Sequence, residues 1–225
     1  MTSEIEIYKE KVQTFDLSGK LLGMQDRSEF YNEIRKEYKK TGKVTRQVRT
    51  IRLFLMNADG GIYLTKRSKL KKENTLLYDK TIGGHLRGTE TPEFTVLREA
   101  AEELGFPAAA LDESEFATSL ESIDLRIVGI FKEIDTLNGF IAKYKYKDDK
   151  WSKFPQITTL FIGVFDGPVK FKDGETSGVE IYYPDEILDE LKKNPKRYTE
   201  DVKILIPKYI DEFTKIVKQI KKYKK

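Results

Sequence analysis

The sequence contains no cysteine and only one histidine, His85. The first absence excludes disulfides, thiolate nucleophiles and cysteine-ligated metals together. The second excludes a metal centre built from several imidazoles. Any metal must then be held by oxygen donors, which favours Mg²⁺ or Mn²⁺. No apolar run approaches the length of a membrane span, and the N-terminal MTSEIEIYKE lacks the apolar core of a secretion signal. A cytoplasmic protein with no membrane contact is the expectation. A strong charge of one sign is also lacking: 41 Lys and Arg stand against 37 Asp and Glu. The net +4 is too weak to point to nucleic acid, although the last eight residues, KQIKKYKK, carry five lysines.

What is present suffices for a packed core. The 225 residues are 39% hydrophobic and 12% aromatic, which suits one large domain with extensions at its ends. Residues 5–24 read as a β-hairpin, with Ile5 and Ile7 alternating with polar residues and DLSGK as the turn. Residues 28–40 read as a helix with Ser28 as N-cap, a Glu33–Lys36 pair and Gly42 past its end. RTIRLFLMN and GIYLTKR read as strands joined by Ala58-Asp59-Gly60. A basic connection, residues 67–80, leads to Gly83-Gly84, and a second helix is expected within residues 107–122. LRIVGIF, GFIAKYKY, TTLFIGVF and GVEIYYP read as four strands, and PDEILDELKK and PKYIDEFTKIVKQI as helices. The pattern is α+β, a mixed sheet with helices packed on it. The expected divisions are an N-terminal extension over 1–44, a catalytic domain over 45–195, and a C-terminal helix with a basic tail over 196–225.

The chemistry is concentrated in GGHLRGTETPEFTVLREAAEELGF, residues 83–106. Thr91 can cap a helix with Pro92 in its first turn, and Gly105 suits its left-handed end. At about 100° per residue, Glu99, Glu102 and Glu103 share one face. Phe94, Leu97, Ala101 and Leu104 then point toward a core. Three neighbouring carboxylates repel one another, and a divalent cation would remove that repulsion. Taken alone, an acidic helix face is a solvated surface. The spacing weighs against that: Gly84, Glu90, Arg98, Glu99, Ala100, Glu102, Glu103, Gly105 and Phe106 fill G-x5-E-x7-R-E-U-x-E-E-x-G-U, where U is bulky or apolar. Seven of those positions demand one residue type, so a chance match at a given start is on the order of 10⁻⁸.

This stretch resembles the signature of the Nudix hydrolases. The resemblance implies an α/β/α sandwich around a mixed sheet and a metal-dependent pyrophosphohydrolase. Its substrate would be a small molecule, a nucleoside diphosphate linked to a further group. It also implies that Glu99, Glu102 and Glu103 are metal ligands, joined by the carbonyl of Gly83, and that Glu90 pairs with Arg98 to orient them. The general base in the family is either the signature glutamate, here Glu99, or one from a distant loop. Many members pair, so a homodimer is an expectation of the resemblance.

KRSKLKKENTLLYDKTIGGHLRGTE is similar to the branch that includes isopentenyl-diphosphate isomerase, as is GKLLGMQDRSEFY in the N-terminal extension. In that branch an arginine and a lysine four residues later hold the diphosphate, and Arg67 and Lys71 have that spacing. The isomerase requires a cysteine and a histidine-rich metal site, and this chain has neither. It keeps the full hydrolase signature, which the isomerase lacks, so a hydrolase with isomerase-like architecture is the reading. Lys80 and Arg87 are further phosphate candidates. His85 is a candidate substrate-binding residue, with a loop-structural role as the plainer one. Glu175 occupies the place of an accessory ligand or base, with Glu180 on the next strand as another. In GFIAKYKYKDDKWSKF, Tyr144 and Tyr146 share one strand face, with Lys143, Lys145 and Lys147 on the other, before Trp151. Base stacking is one role for them, and an amphipathic strand with a guarded edge is the plainer one. The other functions weighed are isomerisation, a binding module that would ordinarily have lost glutamates of the signature, and an RNA-directed hydrolase.

Overall fold

The computed structural model describes residues 10–146, 151–171 and 174–223, without the side chains of Trp151 and Tyr223. The expectations for Ile5, Ile7, Lys147 and the final two lysines fall outside those residues, as does any for the Trp151 side chain. The chain opens with a hairpin, β1 (Lys11–Asp16) and β2 (Leu21–Asp26), followed by α1 (Arg27–Thr41). The cap of α1 is Asp26 and not Ser28: the Asp26 carboxylate accepts from Glu29 N at 3.0 Å. A carboxylate both satisfies that N–H and meets the positive helix end, which a hydroxyl does not. Gly42 ends the helix at φ 71°, as its place in the sequence suggests. Glu33 turns to Arg46 on the next strand, 3.0 Å away, and not to Lys36.

The central strand is β3 (Arg46–Met56), antiparallel to β4 (Ile62–Arg67) at its end and parallel to β9 (Trp151–Val164) along most of its length. Its other edge is shared in turn by β1, β6 (Ile82–His85) and β4, while β5 (Tyr78–Asp79) pairs with β4. The main path runs β10-β4-β3-β9-β8-β7, with β7 (Ala108–Leu111), β8 (Gly129–Lys145) and β10 (Thr176–Tyr182). Both faces of β3 are covered, which is why its sequence is nearly continuous in apolar residues. Ile51, Leu53 and Leu55 pack with Phe131 and Phe161 against α2 (Pro92–Glu99). Phe54 and Met56 face the other layer. That layer holds α3 (Glu113–Ser122), α4 (Pro184–Lys193), α5 (Glu200–Lys208) and α6 (Ile210–Tyr223). The result is the expected mixed sheet between helical layers.

Three readings of the sequence change. The stretch 107–122 is a strand followed by a helix: β7 pairs with β8, and Asp112 and Glu115 form the capping box that starts α3. LRIVGIF and GFIAKYKY end up in one long strand, because bulges at Glu133/Asp135 and Leu137/Phe140 absorb residues that read as a turn. The core face of the signature helix is Val96, Ala100 and Leu104, while Phe94 is 58% exposed and Ala101 is exposed. The cause is a π-helical turn, Ala100–Leu104, closed by Gly105 N bonding to Ala100 O at 2.9 Å. One extra residue in the turn rotates everything after it relative to a regular helix.

Candidate active site

Gly83 and Gly84 lie on β6 opposite Arg52 and Ile51 of β3. The chain then loops to α2, whose first turn is capped by Thr91 accepting from Phe94 N at 3.2 Å. Glu90 precedes that cap and grips Arg98 twice, from Nε at 3.0 Å and Nη2 at 3.1 Å. Thr95 Oγ1 and Arg87 N also donate to it. Burial alone would raise the Glu90 carboxyl, but these bonds outweigh it and hold it below its usual range. Arg98, so fixed, donates from Nη1 to Glu99 at 3.0 Å and to Glu102 at 3.1 Å. One guanidinium thus sets the positions of two glutamates.

Glu99 is 8% exposed and packs against Gly84. A methyl group on Gly84 would sit 2.6 Å from Glu99 Cδ, so glycine there leaves room for the carboxylate. Burial raises the Glu99 carboxyl above its usual range, opposed by Arg98, and Glu103 lies within hydrogen-bond reach. Two carboxylates so placed either share a proton or need a cation.

Glu99, Glu102 and Glu103 line one cleft of about 390 Å³. Gly83, His85 and Glu175 border it, with Arg67 and Lys71 on the same wall. Arg67 donates to Glu73 O at 3.0 Å and to Asp79 at 3.2 Å, and Lys71 pairs with Glu175. All the residues that the sequence singles out for chemistry therefore border the cleft, with two exceptions. Arg98 and Glu90 stand behind it, acting through the glutamates. Glu180 is elsewhere, accepting from Tyr78, Tyr182 and Arg197 on the outer side of β10, which corrects its candidacy as base or ligand.

Among the described residues no three carboxylates are gathered around one point, and Arg87 takes up Glu102 through both Nη atoms at 3.2 and 3.3 Å. The donor set nevertheless fits a hard cation: three carboxylates and the Gly83 carbonyl on one cleft, one of the acids buried and poised against another. A cation would replace the guanidinium charge that Glu102 now accepts.

The floor of the cleft was not legible as a site. Arg52, only 4% exposed, donates Nε to Asp201 of α5 at 2.7 Å and Nη2 to Gln156 Oε1 at 2.7 Å. Lys80 pairs with Asp79 at 3.1 Å and Asp201 at 3.2 Å. Burial would raise both acids; Lys80 with Arg67 holds Asp79 down, and Lys80 with Arg52 holds Asp201 down. Gln156 Nε2 donates to the hydroxyls of Tyr31 at 3.3 Å and Tyr144 at 3.1 Å. Tyr31 in turn meets His85 Nε2 at 2.6 Å. Burial, and then Arg27, Arg52 and Lys80, push His85 well below its usual range, so its imidazole is neutral. The one sequence signal for this network was Arg52, a charged residue inside an otherwise apolar central strand.

The NUDIX domain family model matches residues 46–202. An uncharacterized Nudix hydrolase, all7351, of Nostoc sp. strain PCC 7120 is 23% identical over 205 residues, which is 91% of this chain and 96% of the relative. Among solved structures, DR0079 from Deinococcus radiodurans aligns with a TM-score of 0.60 at 18% identity, over 88% of this chain and 98% of that one. At that identity the likeness is one of fold.

Proposed function

The chain belongs to the NUDIX family, hydrolases of phosphoric anhydride bonds, and from that premise we propose that it is a metal-dependent pyrophosphohydrolase cleaving the diphosphate of a small, nucleoside-diphosphate-linked or similar substrate. The observation that carries this reading is the facing of two sets of groups across one cleft. The signature glutamates Glu99, Glu102 and Glu103 form one side, and Arg67 and Lys71 the other.

In this reading Glu99, Glu102, Glu103 and the Gly83 carbonyl hold Mg²⁺ or Mn²⁺. When bound, the cation neutralises charge that develops on the phosphate oxygens and acidifies the attacking water. Arg67 and Lys71 bind the diphosphate oxygens, each giving up part of its present bonding to Asp79 and Glu175. Glu90 holds Arg98, and Arg98 holds Glu99 and Glu102 in place before any ligand arrives. Glu175, 48% exposed at the cleft, is the accessory acid available to take a proton from water or join the ligands.

The test is turnover against ADP-ribose, nucleotide sugars, dinucleotides, nucleoside triphosphates and prenyl diphosphates. It is run with Mg²⁺, Mn²⁺ or chelator, beside Glu103→Gln. Metal-dependent release of a monophosphate that the substitution abolishes is the expected result. Activity on prenyl diphosphates alone, by isomerisation, would overturn the reading.

A further inference from the structure

The deep corner of the cleft has a hydrogen-bond polarity that follows from one residue. A guanidinium only donates, so the Gln156 atom facing Arg52 is the amide oxygen. Thr50 Oγ1 donates to that same oxygen at 3.3 Å. Gln156 Nε2 therefore spends its hydrogens on Tyr31 and Tyr144. Tyr31 passes its own hydrogen to His85 Nε2. The Tyr144 hydroxyl hydrogen has no acceptor among the described residues, and Tyr144 borders the cleft.

The cations at this corner point the same way. Arg52 uses three of its five N–H groups, on Asp201, Gln156 and the Ile51 carbonyl. Lys80 uses two of three, on Asp79 and Asp201. Arg27, at the start of α1, makes one bond, to Glu10 at 2.7 Å, and also borders the cleft. The unspent capacity of all four groups is donor capacity. The aromatic rings, by contrast, are committed to one another. Tyr144 lies tilted on Phe154 with centroids 6.1 Å apart, and Tyr31 packs edge-on to His85 and Phe154. No flat ring face is offered to a base.

We propose that Tyr144, Arg52, Lys80 and Arg27 form a subsite for a second anionic group, a carboxylate or phosphate, on the part of the substrate beyond the scissile diphosphate. It deepens the pyrophosphohydrolase reading and rests on it for the position of the diphosphate. A group with only acceptor oxygens matches a corner with only donors, whereas a neutral hydroxyl leaves some of them unanswered. Arg27 comes from the N-terminal extension, so that extension takes part in choosing the substrate.

Matched pairs test this: UDP-glucuronate against UDP-glucose for a carboxylate, and ADP-ribose 1″-phosphate against ADP-ribose for a phosphate. Turnover is measured in Mg²⁺ and calorimetric affinity in chelator, for the wild type, Tyr144→Phe, Arg27→Gln and Arg27→Lys, with melting temperatures alongside. The charged member of at least one pair should be preferred by about tenfold or more, the scale of one charge-assisted hydrogen bond. Tyr144→Phe and Arg27→Gln should each reduce that preference several-fold, and Arg27→Lys should retain it. Equal handling of both members, or a preference that survives both substitutions, overturns the subsite. Turnover without preference removes the subsite and leaves the hydrolase. Tighter binding of the charged members without turnover leaves the subsite and removes the hydrolase.

Discussion

Asp201, from the first turn of α5, reaches the Arg52 guanidinium on β3 at 2.7 Å, with both side chains under 10% exposed. The contact ties the C-terminal helices to the floor of the cleft, and it also binds Lys80. Asp201→Asn leaves two buried cations short of charge. It is expected to lower stability by about 3–5 kcal/mol in urea unfolding at neutral pH. The sign of the pH effect follows from its lowered carboxyl. That stabilisation is present above the unfolded value of 3.8 and is lost as pH falls through the lower folded value. The wild type should therefore lose more stability than Asp201→Asn between pH 5 and the acid limit. Parallel loss in both would remove Asp201 as the source.

Gly84→Ala places a methyl group against the Glu99 carboxylate. The side chain can swing aside, so the fold should survive with a stability loss of about 1–2 kcal/mol. Metal binding should suffer more than stability. Calorimetric Mg²⁺ or Mn²⁺ affinity is expected to fall about tenfold or more, on the scale of disturbed ligand support. An unchanged affinity would detach Glu99 from the metal site.

Glu102→Gln and Glu103→Gln keep shape and remove charge. Each is expected to cut turnover by roughly two orders of magnitude or more while the circular dichroism spectrum stays native. Unchanged rates in both would sink the assignment of these ligands.

Arg98→Lys keeps charge and loses the fork. A lysine cannot make both bonds to Glu90 and still reach Glu99 and Glu102. Turnover should drop by about tenfold, with the added Mg²⁺ needed for half activity rising. A drop in stability alone, with kinetics intact, would make Arg98 a structural residue only.

The signature and its caps could be read from the sequence because they are local. Thr91, Glu90 and Arg98 lie within one turn and a loop of the residues they serve. The same holds for Gly105, whose φ of 74° only glycine adopts easily. The core face of the signature helix could not be read, because a regular period cannot anticipate the π-turn that brings Ala100 inward. Nor could the floor of the cleft. Arg52 and Asp201 are 149 residues apart, and Tyr31 and Gln156 are 125 apart. Such pairs follow from strand register and helix docking, which local pattern does not encode. The long β8 was hidden for a related reason: Gly139, at φ 71°, looks like a turn and sits in a strand that bulges past it.

The parallel pairing of β3 with β9 also fixes when the chain becomes competent during its own synthesis. Val48 meets Gln156, and Met56 meets Val164. The signature is complete at Phe106, yet Phe131, Phe161 and Phe165, which cover its buried face, are translated later, and Asp201 later still. A nascent chain carrying the whole signature therefore has neither a covered helix nor a finished floor. Both wait on the ribosome, so the cleft is among the last parts of the molecule to be assembled.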